Sequence, residues 1–324
     1  MSRPTSATTL QRADLGAIAY EYAMEASQRG FIGLEILPVF DVPEQSADYP
    51  VIPIESLLKL QDTKRAPRGK YNRSDYKFET GTYSCEENGW EELVDDVEAA
   101  LYRRYFDAEE VAVKRAVDIL LRGQEARIAA AVMSHASGFV TSNSDVGTEW
   151  STPATATPRA DVNKAIAAMR AASGLTPNVI VMSYKQFKAT MMIAEITAAL
   201  QYTNPIQMSG EEAQKAMLAQ YFGVSRILVG NAVKDSGKKG QVFTIADIWD
   251  DEHILLAKVS TGGPDLREPC LGRTFLWTAD SPANLVTETY RDDSARSNVY
   301  RVRQNTDEAF IFTGAGYLLG NIMA

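Results

Sequence analysis

The feature that most limits what this chain can fold into is the placement of its prolines. Pro38, Pro43, Pro50 and Pro53 punctuate residues 31–56, whereas no proline occurs in the 44 residues from Trp90 to Met133. Proline fixes φ and lacks an N–H, so it is kept out of helix interiors and central strands. Residues 31–56 are therefore expected to be an extended arm. The run that follows, "KRAPRGKYNRSDYKFETGTYSCEENGW" (64–90), has too few large apolar side chains to fold alone. Over 76–84 its alternation puts Tyr76, Phe78, Thr80 and Thr82 on one face and Lys77, Glu79 and Tyr83 on the other. With 48–56 it is expected to form a long two-stranded hairpin whose tip lies near Arg65–Lys70. Such a hairpin is marginal in water by itself, so it must lie on something.

The proline-free stretch reads as helical. Leu93, Val97 and Leu101 recur every four residues, and "CEENGWEELVDDVE" (85–98) reads as acidic first turns favoured by the helix dipole rather than as an acid–base pair. After a break near Phe106–Asp107, Val113, Val117, Leu120, Gln124, Ile128 and Val132 continue a stripe over a helix of roughly 35 Å or more. Gly123 is its weakest point, because glycine costs helix stability.

On either side lie shorter elements. Residues 14–29 are expected to form a helix with Leu15, Ile18 and Tyr22 on one face, Asp14 as cap and Gly30 as stop. Beyond a Ser/Thr/Pro-rich loop the texture becomes mixed α/β. A helix capped by Asp161 ends at Gly174, "NVIVM" (178–182) is a buried strand, and "SYKQFKATM" restarts as helix. "SGEEAQKAMLAQYFG" carries the capping-box spacing of Ser209 and Glu212 and stops at Gly223. Strands are expected at 226–233, 241–249, 253–259 and 273–279, with more in the tail.

Composition narrows the function. Across 324 residues, 45% apolar and 23% charged, the chain has the profile of a soluble globular protein of one large or two linked domains. A net charge of −9 argues against a nucleic-acid binder that relies on overall positive charge. The N-terminus lacks the apolar core of a signal peptide, and no stretch approaches the roughly 20 apolar residues of a membrane span. Cys85 and Cys270 are too few for a disulfide framework or thiolate zinc site and are expected to be reduced thiols.

No chemical motif withstands scrutiny. His135 and His253 are the only histidines. Asp247, Asp250, Asp251 and Glu252 beside His253 carry the oxygen ligands a divalent cation takes, but a polar turn between two strands is the favoured reading. "GKKG" (237–240) lacks the phosphate-loop pattern and suits a hairpin tip. "GAGYLLG" (314–320) imitates a dinucleotide fingerprint with no helix after it. Hence no catalytic residue, metal ligand or cofactor is assigned, and the chain is not expected to be an enzyme.

The order of parts is more informative. "LPVFDVPEQSADYP", "YKFETGTYSCEENGWEELVDD" and "RAVDILLRGQEARIAAAVM" resemble the N-arm, the returning strand of the extended loop and the spine helix of tailed-bacteriophage major capsid proteins of the HK-ninety-seven type. "VIVMSYKQFKAT" and "AMLAQYFGVSRILVGNAV" resemble that family's axial domain. The resemblance spans nearly the whole chain and implies an α+β fold. Its parts are an N-arm (1–42), an extended two-stranded loop (43–85), a peripheral domain with the spine helix (86–150), a mainly axial domain (151–296) and C-terminal strands closing the core (297–324).

In function it implies hexamers and pentamers of this chain building an icosahedral head around double-stranded DNA, which is held without sequence-specific binding. The implied partners are other copies, a separate scaffolding protein, a portal and decoration proteins. The implied location is the virion, after assembly in the host cytoplasm, with no membrane involved. An encapsulin-like nanocompartment is the alternative on the same fold; a metal-dependent cytoplasmic α/β enzyme using 247–253 is the alternative outside it. In the family the extended loop lies over a neighbouring subunit. Arg65, Arg68, Lys70 and Arg73 then become candidates to dock near Glu86, Glu87, Glu91 and Glu92 of the next copy, and Gly123 a candidate hinge of the spine helix.

Overall fold

The computed structural model describes residues 10–11, 15, 18–19, 30–54, 58–65, 67–73, 78–134, 139, 144–200, 210–237, 240–263, 266–282 and 284–323. The expected helix over 14–29, with Asp14 and Tyr22, lies largely outside them, as do His135, Ser209 and the central lysines of "GKKG". In chain order the strands are β1 (Leu10–Gln11), β2 (Val39–Val42), β3 (Ser46–Val51), β4 (Glu79–Ser84), β5 (Glu86–Asp95), β6 (Ser144–Asp145), β7 (Val179–Ser183), β8 (Arg226–Gly230), β9 (Val233–Asp235) and β10 (Ile245–Asp247), followed by β11 (Ile254–Ala257), β12 (Gly272–Trp277), β13 (Val286–Asp292), β14 (Ser297–Phe310) and β15 (Gly316–Gly320). The helices are α1 (Gly33–Ile36), α2 (Asp96–Tyr102), α3 (Ala108–Val132), α4 (Pro158–Ser173), α5 (Tyr184–Met191), α6 (Ala194–Leu200) and α7 (Glu211–Phe222).

Two sheets carry most of the strands. The first gathers β1, β2, β5, β12, β13 and β14 around the 14-residue β14, which pairs with β5 along 297–306, with β13 along 297–303 and with β12 along 306–310. The second has the order β6-β15-β11-β7-β8. Its strands β7, β11 and β15 are buried at every position, as expected of strands covered on both faces. Residues 272–292 thus join the sheet of β5 and not the unit of β7 and β8, so these units are not consecutive stretches of sequence.

The long helix α3 bridges both sheets. Asp107 caps it by accepting from the Glu109 N–H at 2.9 Å, and Glu109 and Glu110 favour the positive end of its dipole. Val113, Val117, Leu120, Gln124, Ile128 and Val132 are all buried, as their spacing requires.

Residues 86–95 overturn the helical reading. They form a ten-residue strand, because β14 offers a long edge and aligns Arg301 opposite Glu91. The four-residue spacing of Leu93, Val97 and Leu101 is not a buried stripe: the three are 56%, 69% and 64% exposed. Helix begins only at α2, where Asp95 caps by accepting from the Val97 N–H at 2.8 Å. Asp161 also differs from its expected part. Its helix starts a turn earlier with Pro158, and Asp161 accepts instead from the Trp150 indole at 3.1 Å. The strand expected over 241–249 is reduced to β10, which pairs with β9 in a separate hairpin. Gly174 and Gly223 end their helices with φ of 73° and 72°, a conformation that costs glycine little.

Candidate assembly surface

The ribbon is built from its root outward. β3 and β4 pair antiparallel from Ser46↔Ser84 to Val51↔Glu79 and form a sheet of their own. At the root Tyr83 stacks on Phe275 with ring centres 4.7 Å apart, and Tyr49 lies 5.2 Å from the same ring. Val42 and Cys85 complete this small core. Asp307 accepts from the Ser84 N–H at 2.9 Å, and burial raises its carboxyl above the usual range. Of the two expected faces, Gly81 and Tyr83 turn toward Tyr49, while Thr80 and Thr82 turn outward.

Past Val51 this support thins: Ile54 is still buried and Leu58 lies against Gly174, but the side chains stand mostly open. Leu58, Leu60, Tyr71 and Phe78 are 63%, 97%, 73% and 59% exposed. The tip turns at Pro67–Arg68, where Arg68 has φ 66°, and is held by Arg65 donating to the Gly69 carbonyl at 2.7 Å and Asn72 to the Asp62 carbonyl at 2.8 Å. Arg65 also lies over the Tyr71 ring. Arg65, Arg68, Lys70 and Arg73 are all exposed, so the tip presents a cluster of positive charge.

The acidic run is less free than its sequence implies. Glu91 pairs with Arg301 at 2.6 Å, and Glu92 accepts from the Trp90 indole at 3.0 Å with Arg115 3.6 Å away. Asp95 is a helix cap. Asp96 binds Arg291 with both oxygens, each at 2.6 Å, and this pairing holds its carboxyl below the usual range. Glu86, Glu87 and Glu98 remain as exposed charges. Beside Glu98 lies an apolar surface that the sequence reading missed: Leu93, Val97, Leu101, Tyr105 and Phe106 are exposed, the tyrosine by 82%. A groove of about 210 Å³ opens there between Leu93, Tyr102, Phe106, Val111 and Arg115. Among the described residues no ion pair joins the basic tip to Glu86 or Glu87.

The acidic cluster near His253 is occupied by local structure. Asp251 accepts from Ser183 at 2.5 Å and from Lys185 at 2.8 Å, and Lys185 also reaches Asp247 at 2.9 Å. Asp250 contacts the His253 ring. One side-chain atom each of Asp250, Glu252 and His253 lies within 4.8 Å of the others, and Asp247 and Asp251 share the single Lys185. Within "GAGYLLG", Gly316–Gly320 is the buried strand β15 of the second sheet, and Gly314 and Ala315 lie in a 3-10 turn before it. Both cysteines are buried and free, and burial pushes the Cys85 thiol up to about 11. Among the described residues no helix is long and apolar enough to cross a membrane. Gly123 sits in the middle of α3, and that helix is continuous there.

A similar architecture is found in a phage-related protein from Bordetella bronchiseptica. The two share 22% identity over 97% of each chain, with a TM-score of 0.70. The capsid structure of cyanophage P-SCSP1u matches 88% of this chain and 86% of its own, at 12% identity and a TM-score of 0.52. The chain has the HK-ninety-seven-type shell fold. The same shell fold relates the chain to the SrpI encapsulin complex of Synechococcus elongatus, at 13% identity, a TM-score of 0.52, and coverage of 99% of this chain and 92% of that one. No family model and no curated protein matches the sequence.

Proposed function

We propose that many copies of this chain assemble, as hexamers and pentamers, into an icosahedral phage head that encloses double-stranded DNA. The observation that carries this reading is the uncovered outer part of the ribbon: Leu60 is 97% exposed in a hairpin whose aromatic core lies at its root. A hairpin of this kind gains stability by burying its side chains on a partner. The surface that suits it is the apolar ground of Leu93, Val97, Leu101 and Tyr105, with Glu98 beside it and Glu86 and Glu87 at the far end of the same strand.

Arg65, Arg68, Lys70 and Arg73 of one copy dock there on the next. Glu91 and Glu92 take a lesser part, since each already has a partner in its own chain. Charge complementarity of this kind sets register and encounter rate more than affinity. Symmetry then repeats the weak contact around the shell. The net charge of −9 suits a container that must hold DNA without adhering to it. A separate scaffolding protein, a portal and decoration proteins complete the partners, with assembly in the host cytoplasm.

Electron microscopy of the purified protein tests the reading. Closed shells of hundreds of copies holding DNA support it; small discrete particles with the ribbon folded onto its own body refute it. The encapsulin-like compartment is the second reading, favoured by a fold likeness to the SrpI encapsulin as great as that to the cyanophage capsid. Smaller shells that co-purify with a protein cargo and lack DNA would decide for it.

A further inference from the structure

Two large cores are built on α3, and they change over along it. Val113, Val117, Leu120 and Leu121 pack with Tyr300 and Val302 of the first sheet, whereas Ile128, Ala129 and Val132 pack with the second. Glu125 lies in the changeover and is 3% exposed. Its Oε1 accepts from the Ile32 N–H at 2.8 Å and from the Trp249 indole N–H at 2.7 Å; its Oε2 accepts from the Gly33 N–H at 2.8 Å. Ile32 and Gly33 open α1 at the start of the arm, and Trp249 belongs to the segment that leads into β11.

The seat is tight. A Cβ at Gly33 would come within 2.7 Å of Glu125 Oε2, and one at Gly230 would overlap the Trp249 ring. Close by, the Asn231 N–H donates to the Gly30 carbonyl at 3.3 Å and Arg226 donates to the Glu35 carbonyl at 3.2 Å.

We propose that Glu125 is a latch: one carboxylate ties both the first turn of the arm and the Trp249 segment to the spine helix, so that the two are held, and released, together. The three donors are all uncharged N–H groups, so the buried charge depends on hydrogen bonds alone. Burying a carboxylate is expensive unless its oxygens are satisfied. Burial holds this carboxyl above the usual range in spite of all three donors, with Glu35 adding to the effect, so the seat has little to spare. Losing any one donor turns the balance toward solvent, and the departing carboxylate abandons the others. The position matters because relative movement of the two cores has to pass through this stretch of α3. The latch is a property of the single chain and does not depend on the shell reading.

Hydrogen exchange on the full chain tests it, with Trp249→Phe as the first variant. That substitution removes the indole N–H and none of the contacts that the Ile32 and Gly33 amides make. A latch requires both amides to exchange about tenfold faster or more, the equivalent of one hydrogen bond to a charged group. Unchanged exchange at Ile32 and Gly33 in a folded Trp249→Phe protein overturns the proposal. Glu125→Gln supplies the second arm should Trp249→Phe fail to fold, since it keeps the side-chain size and sets an NH2 group against one of the donors. It is expected to accelerate exchange of both amides and of the Trp249 indole together. Retained protection at the indole while the amides are freed shows two separate contacts, and refutes the latch.

Discussion

Replacing Gly123 by alanine tests the spine helix at its weakest residue. Gly123 is exposed, in the middle of a helix of 25 residues, and an added Cβ would meet only Arg127 Nη1, at 3.9 Å. The methyl group therefore has room, and what changes is the conformational freedom lost on folding. Glycine is less favourable than alanine in a helix interior by about 1 kcal/mol. Gly123→Ala should stabilise the unassembled chain by that amount, roughly fivefold in the folding equilibrium, and raise the melting temperature by about 2 °C. Urea and thermal unfolding of the unassembled chain read this directly. Equal or lower stability would refute the reasoning. The same substitution bears on the hinge proposal, because a bend at Gly123 would then be about 1 kcal/mol harder in every copy. A spine helix that bends at Gly123 should show a slower immature-to-mature transition in the variant. Electron microscopy of immature and mature wild-type shells with the helix straight at this residue would dispose of the hinge. Gly230→Ala is the opposing control: its Cβ collides with the buried Trp249 ring, so it should destabilise.

Reversing Arg65, Arg68 and Lys70 to glutamate should block shell formation while leaving the thermal melt of the single chain unchanged; normal shells by microscopy at the same salt concentration would rule out tip docking. Ile128→Ala removes a fully buried side chain from the core that α3 shares with the second sheet, and should cost about 2–5 kcal/mol in urea unfolding. Burial keeps the Cys85 thiol protonated up to about pH 11. Its folded value lies above the ordinary thiol value, so its contribution to stability is complete below that value and is lost as pH rises through about 11. Alkylation at pH 8 should accordingly be slow in the folded chain and fast after unfolding. For Asp96 the sign is opposite: the Arg291 pairing lowers its pKa, so its contribution is present above the ordinary carboxylate value and lost as pH falls through the lower one. Arg291→Gln should reduce the pH dependence of stability in that acidic window.

Where an element's reason lies within a few residues of itself, the sequence reveals it. The stripe from Val113 to Val132 needs only the helical period, and the prolines from Pro38 to Pro53 keep helix out of the residues between them, although the short α1 forms just before Pro38. The stops at Gly174 and Gly223 are equally local, whereas the capping box falls at Ser183 and Gln186, and the helix expected to carry one at Ser209 and Glu212 starts after Gly210 without a side-chain cap. The order of such elements was enough to suggest the shell fold.

Residues 86–95 show where this legibility ends. Their strand faces outward with Glu87, Gly89, Glu91 and Leu93, so no apolar alternation marks it, and a chance spacing of four imitates a helix. The decision belongs to β14, whose Arg301 reaches Glu91 across more than 200 positions of sequence. Glu125 went unnoticed for the same reason, since the stripe of α3 passes through its neighbour Gln124 and its own partners come from the arm and from Trp249.

Local spacing thus determined the helices, the arm and the incomplete ribbon, because propensity and period act over a few residues. Tertiary structure alone decided which carboxylates are spent inside the chain and which stay outside, because a charge is neutralised by whatever folding brings beside it.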